Sequence, residues 1–505
     1  MSGDRQWQAA GPAPIAARGT GLEVWVGWLL RAHRVAAHPG PPTSAFVARL
    51  AEAGYRADAR SVSCCESGQT GASEALIAAY ERVLGLPPGQ LTSVCEGARY
   101  TLTGQLPAAI DLSRGETINR LEDVDARITA GTATGADWLM LATLLDGSYP
   151  VMLPPTWARR WIGRLLAEMV RSVRSARTTR RQALCHLVRN PQTRAAVVDV
   201  VFEHVATPGA PGLRVALGVL GAAATPELID RLIATVAGGH GRARRGAAHA
   251  LLTPIAHGRL TPEQNATLER GVLRICQYEP VEAAPAVMLA SRVLPGLGAQ
   301  AIRLVGQDPR PLCDRGFSGA GLATYLRAAA DPAGAKDPIL ALLLHEVLTG
   351  SCPARRHRAL VVLGASPYRS VLADAALDLT VTSADPVAVA AAGLVLPYLA
   401  GPAQQPALLD LLAGPLSAVH PGALRALAHG TGVPPWFGLR RHLNDPMTSP
   451  SAIYAAGMSA HPDLITAAAG AAPMRDAARW WVDHGPAIRD RPPDGPNLPD
   501  TAPTG

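Results

Sequence analysis

Lysine is almost missing from this chain, with Lys336 the only one among 47 basic residues. Positive charge therefore rides on arginine, whose guanidinium stays protonated and hydrogen-bonds as a planar fork. Aromatic residues are also scarce, at 4% of 505 residues. Alternation of apolar and polar residues is nearly absent, while Ala, Leu, Val and Gly dominate. That composition disfavours a β-rich fold and suits helices packed through small residues. No apolar run reaches the roughly 18 residues that a membrane helix needs. Pro386–Ala400 is the longest and is interrupted by Pro397. The first 20 residues lack the basic-then-apolar layout of a signal peptide. The seven cysteines (Cys64, Cys65, Cys95, Cys185, Cys276, Cys313, Cys352) are odd in number, scattered and free of C-x-x-C pairs. They fit reduced thiols, not a disulfide or zinc framework. A cytoplasmic protein with no membrane partner is the expectation.

Catalytic and cofactor motifs are missing as well. His345-Glu346 opens a zinc-protease pattern, but Thr349 stands where the second histidine belongs. Gly316-Phe317-Ser318-Gly319 follows Asp308–Arg315, which does not read as the strand a nucleophile elbow requires. Gly238-Gly239-His240-Gly241 has no Lys-Ser/Thr pair behind it. The 14 histidines are dispersed. No enzyme activity, cofactor or metal is expected.

What is present begins with Thr43–Gln69, which reads as two short helices around a turn at Gly54. The first carries Phe46, Val47 and Leu50 on one face. In the second, from about Asp58 to Ser67, Ala59, Val62 and Cys65 at i, i+3 and i+6 predict a buried edge, leaving Arg60 and Cys64 outward. Leu76, Ile77, Tyr80, Val83 and Leu84 supply the stripe that covers the inner face. A short helix with one buried and one Arg/Ser edge has the build of a recognition helix. Arg60 could contact guanine through two hydrogen bonds, worth about 1–3 kcal/mol of discrimination, and Ser61 and Ser63 could bond phosphate or bases.

Val62-Ser63-Cys64-Cys65-Glu66-Ser67-Gly68, followed by Ala79-Tyr80-Glu81-Arg82-Val83-Leu84-Gly85-Leu86-Pro87-Pro88-Gly89-Gln90-Leu91, resembles the Cro/lambda-repressor-like (xenobiotic-response-element type) helix-turn-helix regulators of actinobacteria. The resemblance covers about residues 21–97. It implies a five-helix DNA-binding domain in which Arg60 and Cys64 read base edges and Ser44 and Gln69 touch phosphates, with Arg56 and Ala59 beside them. It also implies a homodimer on an inverted-repeat operator in double-stranded DNA. Residues 1–100 hold nine Arg against eight Asp plus Glu. Binding would therefore rest on local placement of Arg31, Arg34, Arg49, Arg56 and Arg60, not on net charge.

Residues 1–20 are Gly/Ala/Pro-rich and expected to be disordered, as is the Pro/Asp-rich tail 489–505. A connector over 101–135 holds one short helix, about Glu116–Thr129. From 136 to 488 the texture is Ala/Leu helices broken by Pro and Gly, with a Gly/Pro-rich interruption near 306–336. Asn190-Pro191, Thr225-Pro226 and Thr261-Pro262, 35 and 36 residues apart, are capping residues followed by proline at the first helical position. Asp385-Pro386 and His420-Pro421 repeat that signal. Ala183-Leu184, Ala216-Leu217 and Ala250-Leu251 mark the other helix of each unit. A period in the mid-thirties with two helices per unit predicts a HEAT-like α-solenoid.

Within Trp157–Arg181, read as one helix, Arg160, Arg164, Arg171 and Arg174 fall within about 80° of arc. This row is a candidate second basic strip, or a plain solvated face. The expectation is thus an all-α transcriptional regulator: a reading head on a helical-repeat platform for dimerisation, ligand sensing or partner binding. Whether that platform takes a small molecule, a peptide or a protein stays open. The alternative is a HEAT-like interaction scaffold whose helix-turn-helix no longer binds DNA.

Overall fold

A computed structural model describes residues 21–38, 44–86, 89–103, 112–147, 153–293, 296–306, 337–349, 353–383, 385–470 and 474–489. Apart from Gly306 and Arg489, the segments expected to be disordered or interrupting lie outside the described residues. Among the described residues the regular elements are helices, and the chain is all-α. It forms two compact units divided between Cys95 and Glu96.

The first unit contains α1 (Leu22–Ala37), α2 (Ser44–Glu52), α3 (Ala59–Glu66), α4 (Glu74–Val83) and the start of α5 (Gln90–Thr103). Its core is Trp25, Trp28, Phe46, Leu50, Val62, Leu76 and Tyr80, each no more than 1% exposed. Phe46 meets Tyr80 edge-on with ring centroids 5.1 Å apart. Asp58 caps α3 by accepting from the Ser61 amide, and Ser73 caps α4 by accepting from Leu76. The buried Glu81 carboxylate performs the same task for α5 from a neighbouring helix. It accepts from the amides of Gly89, Leu91 and Thr92 at 2.6–2.8 Å. Arg49 of α2 donates to the Val83 carbonyl at the end of α4, and Arg82 of α4 donates to Ala53 just beyond α2. Each arginine thus satisfies carbonyls that the other helix leaves open at its carboxyl end.

Two glycines set how closely α1 and α3 approach. A Cβ on Gly27 would lie 2.9 Å from Glu66 O and Gly68 N, and closer still to the Cys65 carbonyl. Gly68 ends α3 at φ +71, with a Cβ there 2.6 Å from the Val24 Cα. These atoms are backbone and cannot turn aside. Gly27→Ala is therefore expected to lower the stability of this unit by about 1–3 kcal/mol. Urea unfolding followed by hydrogen exchange of α1 and α3 peptides measures it; unchanged protection would remove the close-approach argument.

The second unit runs α6 (Arg114–Ala130), α7 (Gly135–Leu145), α8 (Pro155–Arg171), α9 (Arg174–Arg189), α10 (Pro191–Ala206), α11 (Leu213–Leu220), α12 (Pro226–Gly238), α13 (Gly241–Ala256), α14 (Pro262–Tyr278), α15 (Ala284–Val293) and α16 (Leu297–Val305). It continues through α17 (Pro338–Thr349), α18 (Pro353–Ala365), α19 (Arg369–Thr382), α20 (Pro386–Leu399), α21 (Gln405–Ala413), α22 (His420–His429), α23 (Arg440–Asn444), α24 (Ser449–Ser459), α25 (Asp463–Ala468) and α26 (Met474–His484).

Asn190, Thr225 and Thr261 are the N-caps of α10, α12 and α14, each followed by proline at the first helical position. Asp385 caps α20 in the same way. His420 departs from the pattern, being the first residue of α22 itself. Helices pack on their next-but-one neighbours: α7, α9, α11, α13 and α15 in one series, and α12, α14 and α16 beside it. The same alternation joins α18, α20, α22, α24 and α26. Ala183, Leu184, Ala216, Leu217, Ala250 and Leu251 lie in the first series, at most 1% exposed.

The chain after α26 returns to α8, where the Ile488 amide donates to the Arg171 carbonyl at 3.1 Å. A buried polar node sits where α7, α8 and α9 meet: Glu168 accepts from the Trp138 indole, from Arg164 and from Arg180 at 2.8–3.1 Å. Among the described residues no single helix is long and apolar enough to cross a membrane.

Candidate nucleic-acid interface

The expected buried edge of α3 is only partly the observed one. Val62 is buried, but Ala59 is exposed and Cys65 half-buried; the second buried position is Glu66, at i+4. The reason is a charge pair. Arg34 of α1 donates to both Glu66 oxygens, from Nε at 2.6 Å and from Nη2 at 2.9 Å. The Tyr80 hydroxyl donates to the same carboxylate at 2.8 Å. Burial, and then the Glu66 charge, hold that phenol protonated far above its ordinary range. A carboxylate with three donors is the peg on which α1, α3 and α4 converge. Cys65 Sγ lies 3.3 Å from Thr70 Oγ1, so the thiol faces the turn after α3 and not the core.

The outward side of α3 is polar and short. Ala59, Arg60, Ser61 and Ser63 are exposed, Cys64 is half-buried, and Gln69 is exposed in the turn that follows. Ser44, the first residue of α2, and Arg56, between the two helices, are exposed too. Ser61 is partly committed: its hydroxyl donates to Asp58 Oδ2 at 2.9 Å while its amide donates to Oδ1. Those bonds hold the Asp58 carboxyl below the usual range, placing a negative charge at the amino end of α3. Cys64 is held through its carbonyl, which accepts from the amides of Gln69 and Thr70.

The arginines divide into two groups. Arg34 is in the buried pair, and Arg49 is bonded to Val83 and set against His38. The guanidinium groups of Arg56 and Arg60 form no ion pair among the described residues. Local basic placement thus reduces, on and beside α3, to these two.

The second basic strip is not assembled as expected. α8 ends at Arg171; Ser172 and Val173 are extended, and Arg174, at φ 52, is the first residue of α9. Arg174 therefore belongs to another helix, and its guanidinium donates to the Ala400 carbonyl. Arg160 lies over the Trp157 ring and 3.5 Å from Asp125, and Arg164 pairs with Glu168. Arg171 donates to Ala167 and to Pro486, and burial lowers its pKa. Each of the four is engaged locally.

His240, Glu279 and Glu282 bring possible ligand atoms within 4.8 Å of one another. Arg244 already donates to both carboxylates, at 2.6 and 3.2 Å, and the Glu279 pKa is lowered first by that hydrogen bond. The cluster reads as an ion-paired crossing between α13 and the end of α14. Comparison of the chain with protein-family models, with curated proteins and with solved structures finds no match.

Proposed function

We propose that the chain is a sequence-specific DNA-binding regulator, with α2 and α3 forming a helix-turn-helix and α7–α26 an α-solenoid of HEAT-like type. The observation that carries the reading is α3 itself. This eight-residue helix is pegged from inside by Val62 and Glu66 and shows solvent Ala59, Arg60, Ser61 and Ser63. A helix this short, held rigidly by its neighbours and bearing one uncommitted guanidinium, suits insertion into a major groove. Ser44, Arg56 and Gln69 flank it as phosphate contacts, with Cys64 at its rim. The operator is taken to be an inverted repeat bound by two copies of the chain, the solenoid serving dimerisation or partner binding.

Selection from genomic fragments, followed by gel-shift titration in increasing salt, tests this. A discrete palindromic site and a steep salt slope are expected. Arg60→Ala should weaken that site by about 1–3 kcal/mol, roughly five- to 150-fold. If no sequence is enriched and Arg60→Ala changes nothing, the DNA reading fails. The interaction scaffold then replaces it, a reading favoured by the few free cations around α3.

A further inference from the structure

One exposed group at α3 has no task in the reading above. Asp58, which caps the helix, is open to solvent. Its Oδ1 accepts from the Ser61 amide at 2.8 Å and its Oδ2 from the Ser61 hydroxyl at 2.9 Å. The first bond is enough to cap the helix. The second ties the other oxygen as well, so the carboxylate is held in place by one residue. A carboxylate offers about four acceptor sites, and these two bonds leave it able to accept more. Ser61 has committed its proton to Asp58, so its oxygen meets a ligand only as an acceptor.

Arg60 precedes Ser61 by one residue and is turned about 100° from it around the helix axis. Its hydrogen-bonding character is the opposite, five N–H donors and no acceptor. It forms no ion pair among the described residues, although Asp58 is only two residues away. The solvent edge of α3 therefore carries acceptors at its amino end, Asp58 and Ser61, and a donor fork beside them, and the two do not neutralise each other.

The amino end of a helix favours phosphate, through its free amides and its dipole. At α3 that place is taken: Asp58 occupies the Ser61 amide and adds a full negative charge, which the Ser61 bonds keep ionised. Phosphate is repelled from it. A carboxylate is tolerated against DNA where a base offers a donor, and in the major groove those donors are the amino groups of cytosine and adenine. Adenine sets its N7 acceptor beside the amino group, where it would face a further protein oxygen. Cytosine presents the amino group without that acceptor. Reading one base pair together would bring the Asp58 and Arg60 groups within ion-pairing reach. They stand apart, which suits two neighbouring pairs.

We infer that Asp58 is a specificity-determining residue, selecting cytosine in the pair next to the guanine that Arg60 takes and excluding phosphate from the amino end of α3. The inference rests on α3 reading DNA. It makes Ser61 a base contact and leaves the phosphates to Ser44, Arg56 and Gln69.

The test is selection of duplexes from a randomised pool by the full chain, as wild type, Asp58→Asn, Asp58→Ser and Arg60→Ala. Asparagine and serine cap helices as aspartate does, so both Asp58 variants should keep the wild-type helical signal and thermal midpoint. The wild-type site is then titrated with its cytosine pair kept or replaced by a thymine pair, which turns an acceptor, O4, toward the carboxylate. The wild type should disfavour thymine by about fivefold or more. Asp58→Asn should lose that preference, since its amide N–H donates to O4, and should bind unrelated duplex at least as tightly as the wild type. Arg60→Ala should relax the neighbouring guanine and keep the cytosine. A wild-type site with no cytosine beside the guanine that Arg60→Ala relaxes overturns the proposal while DNA binding stands. So does discrimination against thymine that persists in folded Asp58→Asn and Asp58→Ser. Enrichment of no sequence by the wild type overturns this proposal and the DNA reading together.

Discussion

Glu66→Ala is expected to unfold most of the amino-terminal unit while leaving the second unit protected. The Arg34 and Glu66 side chains are each 3% exposed, so neither charge is solvated by water. Their attraction offsets the cost of burying them only because the geometry is bidentate and Tyr80 fills a further acceptor site. Removing the carboxylate takes the Glu66 counter-charge from a buried guanidinium and deprives the Tyr80 hydroxyl of its acceptor. Breaking such a pair from one side costs about 3–5 kcal/mol, a large share of what a small domain possesses. Glu66→Gln should cost less, since the amide oxygen still accepts. The double variant Arg34→Met/Glu66→Leu should be milder than Glu66→Ala alone, because no unpaired charge remains. Hydrogen exchange resolved by peptide separates the outcomes. Protection lost in α1, α3 and α4 but kept in α9–α13 is the expected pattern. Equal protection in Glu66→Ala and the wild type would show the pair to be dispensable, and loss in both units would couple them across the Cys95/Glu96 boundary.

That pair also shows where sequence reading stops. Helix starts were legible because their chemistry is local: Asn190 and Thr261 accept from amides two and three residues on, and proline follows Asn190, Thr225 and Thr261 alike. The position and length of α3 were legible for the same reason, through Asp58 at its start and Gly68 at its end. Its inward face is not legible in the same way, because apolar periodicity cannot register a buried glutamate whose partner lies 32 residues away. Arginine has the same difficulty. Nothing in the composition distinguishes Arg34, in a core ion pair, or Arg49, closing a helix end, from Arg60, in water. The break at Ser172 carries no sequence signal, since neither glycine nor proline marks it.

Acid should dismantle the second unit well above the pH at which carboxylates titrate. His204, His249, His357, His420, His429 and His442 all have lowered pKa values with burial as the leading cause. His249 and His429 fall to about 3 and His442 to about 4. In the unfolded chain these imidazoles take up protons near their ordinary 6.5. Between that value and the folded ones the unfolded state binds more protons, so stability falls as pH is lowered. Each strongly shifted histidine withdraws about 2 kcal/mol by pH 5, and several together rival the roughly 5–15 kcal/mol that holds a domain folded. The carboxylates Glu116, Glu263 and Glu279 have lowered pKa values and add their share only at lower pH, which leaves the window from about 6.5 to 5 to histidine. Helical circular dichroism followed from pH 7.5 to 4.5 should show a cooperative loss in that window. The rings of His420 and His442 stand 5.3 Å apart and are fully buried, so His420→Leu/His442→Leu removes two titrating groups without exposing new surface and should move the midpoint to lower pH. Helicity that persists unchanged to pH 4.5 would mean that these imidazoles accept protons in place.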